Sequence, residues 1–255
     1  SANCNNCGFF GCDIYYKAFI ELSYNPLRAY QNTYGDSLND QGNGIARLAN
    51  DKALITGETN SFGQGKKEVF LMKTGNEGNE QFYKTYGGTD DDVGHVVLQR
   101  HDSSGFLLAG YTLSFGQGGK DIFVIKTDTS GNIIWEQTYG GTSDEEAFAL
   151  YKTRDTNYLV AGYTKSHGAS GKDIYLMKID TSGSILWDYR YGGSNDDVAY
   201  DLIQDSSKNI VLTGGTKSYG SGGEDIFALK LDSGGNVNWL QTYGNSSDES
   251  GRSVI

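Results

Sequence analysis

Proline occurs once in this 255-residue sequence, and histidine and cysteine three times each. One proline and glycines without a three-residue period exclude a collagen-like chain. The histidines, His95, His101 and His167, are too scattered to form a catalytic cluster. No Gly-x-Ser-x-Gly, phosphate loop or dinucleotide fingerprint occurs either, so an enzyme is not expected. Basic residues are in the minority: 21 Lys and Arg against 32 Asp and Glu give a net charge of −11. Such a surface repels nucleic acid and disfavours anionic membranes. No apolar run reaches the ~18 residues of a membrane-spanning helix. Ser1 opens the chain without Met or signal peptide, which reads as a mature or trimmed form.

The cysteines are Cys4, Cys7 and Cys12, all near the N-terminus. A structural zinc site wants four Cys or His ligands, and no histidine lies nearby. A local disulfide with one odd thiol is the expectation, and the cluster leans towards an oxidising compartment.

Glycine, by contrast, is abundant at 36, tyrosine at 18, and aromatic residues make up 13%. This mixture predicts many short strands joined by tight turns. The dipeptide Tyr-Gly falls at Tyr34, Tyr86, Tyr139, Tyr191 and Tyr243, at intervals of 52, 53, 52 and 52 residues. After each come a small-polar and acidic loop, such as Thr89 to Asp92, and a short apolar run, Val96 to Leu98. Further runs follow at 106–112, 121–126 and 133–138, separated by turn residues. Four short strands per unit, apolar on both faces, predict an all-β fold in which four-stranded sheets pack radially as a β-propeller.

The ends complete the count. Tyr30 takes the place of Trp135, residues 17–20 take the place of the third strand, and residues 4–7 overlay the second. The prediction is one domain, a five-bladed β-propeller of ~52-residue blades. The expected blades are 34–85, 86–138, 139–190 and 191–242, with a split blade made of 243–255 plus 1–33. Closure of the split blade within one molecule is favoured by the preference for local connections. Closure between molecules, which would build a filament, is the alternative.

The pattern Tyr-Gly-Gly-x-x-Asp-Asp, Leu-x-Ala-Gly-Tyr-Thr, Ser-Phe-Gly-x-Gly-Gly-Lys-Asp-Ile-Phe and Lys-x-Asp-x-x-Gly-x-x-x-Trp resembles the bacterial β-propeller repeat family. The resemblance covers nearly the whole chain. It implies a propeller fold and a secreted or cell-surface setting, with no single activity. Glu68 for Asp, Phe82 for Trp and Glu21 for Lys depart from the pattern.

Three columns of the repeat are candidate sites. The polar and acidic pairs are Asn39/Asp40, Asp91/Asp92, Asp144/Glu145, Asp196/Asp197 and Asp248/Glu249. These acids are expected to accept loop amides or to pair with the Lys repeated at 73, 126, 178 and 230. The alternative is a ring of carboxylates for a cationic partner, with Ca²⁺ a candidate at Asp91, Asp92, Asp196 and Asp197. The loop between second and third strands carries Phe10, Phe62, Phe115, His167 and Tyr219, on the same face as the acids. Rings beside carboxylates suit a sugar, while rings plugging blade gaps are the plainer reading. The column Tyr30, Phe82, Trp135, Trp187 and Trp239 reads as blade-to-blade packing.

The sequence therefore points to a non-enzymatic, extracellular or cell-surface module for a glycan or protein partner. Its candidate contacts are Phe62, Phe115, His167, Tyr219, Asp91, Asp144, Asp196 and Asp248. A structural subunit that self-associates through the split blade or the N-terminal segment is the alternative. A glycoside-acting enzyme is disfavoured, because near-identical repeats provide no singular pair of acids.

Overall fold

Each repeat supplies apolar residues on both faces of four consecutive short segments, and turn residues between them. A computed structural model describes residues 32–166 and 170–255. The calls on Cys4, Cys7, Cys12, Phe10, residues 17–20, Glu21, Tyr30 and His167 lie outside the described residues.

Among the described residues sixteen strands form four antiparallel sheets, each in simple up-and-down order. Blade 1 comprises β1 (Asp40–Arg47), β2 (Ala53–Thr59), β3 (Glu68–Thr74) and β4 (Glu80–Tyr86). Blade 2 comprises β5 (Asp92–Gln99), β6 (Gly105–Thr112), β7 (Asp121–Asp128) and β8 (Ile133–Tyr139). Blade 3 comprises β9 (Glu145–Lys152), β10 (Tyr158–Thr164), β11 (Asp173–Ile179) and β12 (Ile185–Tyr191). Blade 4 comprises β13 (Asp197–Gln204), β14 (Ile210–Thr216), β15 (Asp225–Leu231) and β16 (Val237–Tyr243). There is no helix among the described residues.

The core lies between blades. Alternation along one strand sends successive side chains to opposite faces. Phe106 and Leu108 of β6 therefore join Leu54 and Leu71 of blade 1, while Leu107 and Ala109 join Val160 and Met177 of blade 3. Leu159 and Leu176 of blade 3 meet Leu212 and Phe227 of blade 4 in the same way. Phe82, Trp135 and Trp187 pack against these junctions, as the sequence predicts, while Trp239, expected to do the same, is 40% exposed and joins none of them.

Each first strand begins earlier than its apolar run. Asp92, expected in a loop, is the first residue of β5, because its register partner Thr112 donates a hydroxyl to its carboxylate. Each first strand also carries a bulge. Gly94 pairs with Gly110 and Val96 with Ala109, so His95 is the extra residue. A Cβ on Gly110 would lie 1.9 Å from the Val93 carbonyl oxygen, which explains the glycine of the Ala-Gly-Tyr-Thr motif.

Blades are also latched by their tyrosines. The hydroxyls of Tyr86, Tyr139 and Tyr191 donate to the carbonyls of Gly131, Gly183 and Gly235 in the following blade, at 2.7, 2.6 and 2.6 Å. Tyr34 donates to Gly78 in the same manner.

The C-terminal segment continues the radial order past blade 4. A Cβ on Gly251 would meet Thr213 Oγ1, Ile226 Cγ2 and the Gly214 carbonyl. Three repeats earlier, one on Gly94 would meet Thr56 Oγ1, Val69 Cγ1 and the Gly57 carbonyl. The backbone NH of Gly251 donates to Gly214 at 3.1 Å, and that of Val254 to Asp201 at 2.9 Å. Residues 249–255 thus stand in the first-strand position of a fifth blade. The other three strands expected of that blade fall outside the described residues.

Candidate functional site

The loops after the fourth strands and the loops between second and third strands meet on one face. The Asp90 backbone NH donates to Ser114 Oγ at 3.0 Å. A Cβ on Gly88 would lie 3.2 Å from Phe115 Cζ, so this ring leans over the Tyr-Gly-Gly turn at the junction of blades 1 and 2. Tyr219 leans likewise over blade 3 and donates its hydroxyl to Gly192 at 2.7 Å. Phe62 rests on Tyr83 of its own blade with centroids 5.2 Å apart. All three rings keep a free side: Phe62 is 42% exposed, Phe115 40% and Tyr219 44%.

The acids of this face are engaged in the fold. Asp91, Asp144, Asp196 and Asp248 accept the backbone NH of Lys67, Lys120, Lys172 and Glu224, at 3.3, 3.2, 2.9 and 2.8 Å. Each bond staples an acidic loop to the third strand of the blade before it. Asp144 also pairs with Lys165 at 2.9 Å, and this bond, against a smaller opposing effect of burial, holds its carboxyl below the ordinary range. The second acid of each pair closes its own blade. Asp92 accepts Ser114 Oγ at 2.7 Å and Gly88 NH at 2.8 Å besides Thr112, and Asp197 accepts Ser218 Oγ, Gly193 NH and Thr216. Among the described residues no three acidic, histidine or cysteine side chains converge as a metal cluster.

The repeated lysines have other partners than the acidic loops. Lys178 pairs with Asp155 at 2.6 Å and Lys230 with Asp205 at 3.3 Å, while Lys126 donates to the Thr181 carbonyl. Lys126 stands five residues beyond Asp121 on β7, roughly 17 Å along a strand. The lysines therefore reach the turns of the opposite face.

A second assembly lies on the axis, and the sequence analysis missed it. The bulge of each first strand aims its extra residue at the centre: Asn43, His95, Phe148 and Tyr200. Asn43 Nδ2 donates to the Gly94 carbonyl at 3.0 Å. The His95 and Phe148 rings are 5.0 Å apart, Phe148 and Tyr200 5.2 Å, and the Arg252 guanidinium lies 4.0 Å over Tyr200. Arg252 is the equivalent residue of the C-terminal segment.

Beside this ring, Glu146 breaks the repeat, standing where blades 2 and 4 carry Val93 and Val198. Its buried carboxylate meets His95 Nε2 at 2.7 Å, Lys120 Nζ at 3.1 Å and the Tyr163 hydroxyl at 3.1 Å. Burial opposes its ionisation, but His95 and Lys120 outweigh it and hold the carboxyl below the usual range. Burial, reinforced by Glu146, pushes the Tyr163 phenol up. The signal was present in the sequence: this column varies while its neighbours repeat.

No family model matches the chain. It is 25% identical over 195 residues to the regulatory protein FlaEY of Caulobacter vibrioides, covering 66% of this chain and 20% of that protein. The chain thus spans about a fifth of that relative. Solved structures similar to it include hydrazine synthase of Kuenenia stuttgartiensis, at a TM-score of 0.48 and 13% identity, covering 77% of this chain and 53% of that one. Another is the Pan2 WD40 domain of Neurospora crassa, at 0.46 and 15%, covering 82% and 57%.

Proposed function

We propose that the chain is a non-enzymatic binding module whose loop face takes a protein or glycan partner. The observation that carries this reading is the state of the two candidate columns. The acids are spent on stapling blades, while Phe62, Phe115 and Tyr219 each present a half-exposed ring on one face. Rings held by a rigid scaffold lose little entropy on binding and are frequent contact anchors. The axial His95 is committed to Glu146 and walled by Tyr111 and Phe148, which favours a structural role over acid–base catalysis. A likeness to a regulatory protein accords with partner binding. The bacterial propeller repeat family, with its secreted or cell-surface setting, is part of the same proposal.

The test is a glycan array and a cross-linking capture from the source organism's surface extract, each run with wild type and with Phe115→Ala/Tyr219→Ala. Retention of a ligand by wild type, reduced at least tenfold in the double variant, is expected. A ligand held equally by both proteins would remove the loop face from the account.

A further inference from the structure

Tyr83, Glu136, Asp188 and Leu240 stand at one position of the fourth strand, across from Met72, Ile125, Met177 and Leu229. Blade 4 alone among the described blades places a short aliphatic side chain there. Two other blades show how the neighbouring aromatic ring of the third strand is covered. In blade 1 the Tyr83 ring fills the space between Phe62 and Phe70, with centroids 5.2 and 5.4 Å away. In blade 2 the loop ring itself folds down, and Phe115 lies 5.8 Å from Phe123. In blade 4 neither closure is made. Leu240 carries no ring, and the Tyr219 hydroxyl is drawn to the Gly192 carbonyl of blade 3 at 2.7 Å.

The space left over is a cleft of about 310 Å³ between blades 3 and 4. Ile174, Phe227, Leu229, Val237 and Leu240 form its apolar wall. Its polar side chains are engaged within the fold. Tyr191 donates to the Gly235 carbonyl as Tyr219 does to Gly192. Thr216 donates to Asp197, which also takes Ser218 Oγ and the Gly193 NH. Arg190 is held in the fold, with Asp188 at 3.7 Å among its partners. An anion would therefore meet the Asp197 carboxylate and a cation the Arg190 guanidinium, and neither would find an unpaired counter-charge.

A cleft walled this way selects by shape and apolarity. A charged ligand would lose its hydration there without a partner to replace it. A volume near the lower end of the ~300–1,000 Å³ range of ligand pockets limits the occupant to a small molecule. An apolar cavity of about 150 Å³ holds one benzene ring, so twice that volume has room for two fused rings. We propose that this cleft binds a small neutral aromatic molecule of two fused rings. The rings lie against Phe227, Leu229 and Leu240, beneath Tyr219. This site does not rest on the loop-face reading, although Tyr219 borders both.

The test is calorimetric titration of the full chain at pH 7 with indole, and with indole-3-acetamide, indole-3-acetate and tryptamine. Saturable binding of indole at a single site is expected. The acetate and tryptamine should each bind at least tenfold more weakly than the neutral acetamide of similar size. Leu240→Tyr refills the space as in blade 1 and should abolish binding of all four. Should Leu240→Tyr fail to fold, Tyr219→Phe makes the same comparison. It frees the loop ring to fold onto Phe227 as Phe115 does onto Phe123, and should weaken indole at least fivefold. Phe115→Ala, which removes a loop-face anchor, should leave indole unchanged. Absence of saturable binding to wild type would overturn the proposal. So would indole held equally by folded Leu240→Tyr, a charged analogue held as tightly as the acetamide, or loss of indole in Phe115→Ala.

Discussion

The Tyr139 hydroxyl donates a 2.6 Å hydrogen bond to the carbonyl of Gly183, at the turn that ends the third strand of the next blade. Tyr139 closes β8, and its ring is buried. Gly183 has a φ of 88°, a turn conformation that glycine adopts without strain. The landmark tyrosine is therefore a latch between blades, repeated at Tyr86 and Tyr191. Tyr139→Phe keeps the ring and strands the Gly183 carbonyl. The expected cost is about 1–2 kcal/mol. Urea titration should show a lower midpoint with an unchanged slope, and an unchanged midpoint would mean the latch contributes nothing.

The glycine of the Ala-Gly-Tyr-Thr motif is a steric requirement of the bulge. At Gly110 any Cβ would lie 1.9 Å from the Val93 carbonyl oxygen, and the neighbour is backbone, which cannot swing away. Gly110→Ala is expected to cost roughly 2–4 kcal/mol, by the rule for overpacking compounded by a lost register. Gly234, with nothing nearer than 3.4 Å to its added Cβ, should accept alanine with little change. Equal melting temperatures for the two variants would refute the bulge argument.

The strands and their grouping were legible because the physical demand on them is periodic. Leu107 and Leu108 both had to be apolar, since each faces a different neighbouring blade. The acidic pairs were legible as amide acceptors for the same reason: Asp144 and Asp196 make the same bond in different blades. The lysine column misled because sequence shows which residues recur, but not at which end of a strand they stand. The axial ring was invisible as a column of like residues. A bulge fixes where His95, Phe148 and Tyr200 point, and leaves their chemistry free to differ.

Glu146 tests whether the axial network stabilises the ring of blades. Its folded pKa lies below the ordinary value, so its contribution is present at neutral pH and is lost as pH falls through the folded value. That window lies below about pH 4.3, the unperturbed value for glutamate. Glu146→Val installs the residue of blades 2 and 4. It should cost on the order of 1–2 kcal/mol at pH 7, because His95 and Lys120 lose a partner but keep access to solvent. It should also flatten the loss of stability below about pH 4. Acid titrations followed by tryptophan fluorescence, superimposable for wild type and variant, would show that the network is energetically neutral.

Asp121 has the opposite sign. Its carboxylate is buried at the start of β7 and accepts the Gln117 backbone NH at 2.9 Å. Burial first, and then the nearby Glu145 charge, push its pKa up to about 6, against the Gln117 bond. The folded protein thus holds a proton that the unfolded chain releases near its ordinary value of about 3.9. Between those two values the native state binds more protons, so this residue makes stability fall as pH rises from about 4 to about 6. Asp121→Asn keeps an acceptor for Gln117 and supplies a donor towards Glu145. It should remove that fall, leaving the variant more stable than wild type at pH 7 by on the order of 1–3 kcal/mol, with the difference closing near pH 4. Urea midpoints at pH 4, 5, 6 and 7 read this directly. A variant that is less stable at pH 7, or that keeps the wild-type slope between pH 4 and 6, would show that Asp121 is ionised and well solvated in the folded blade.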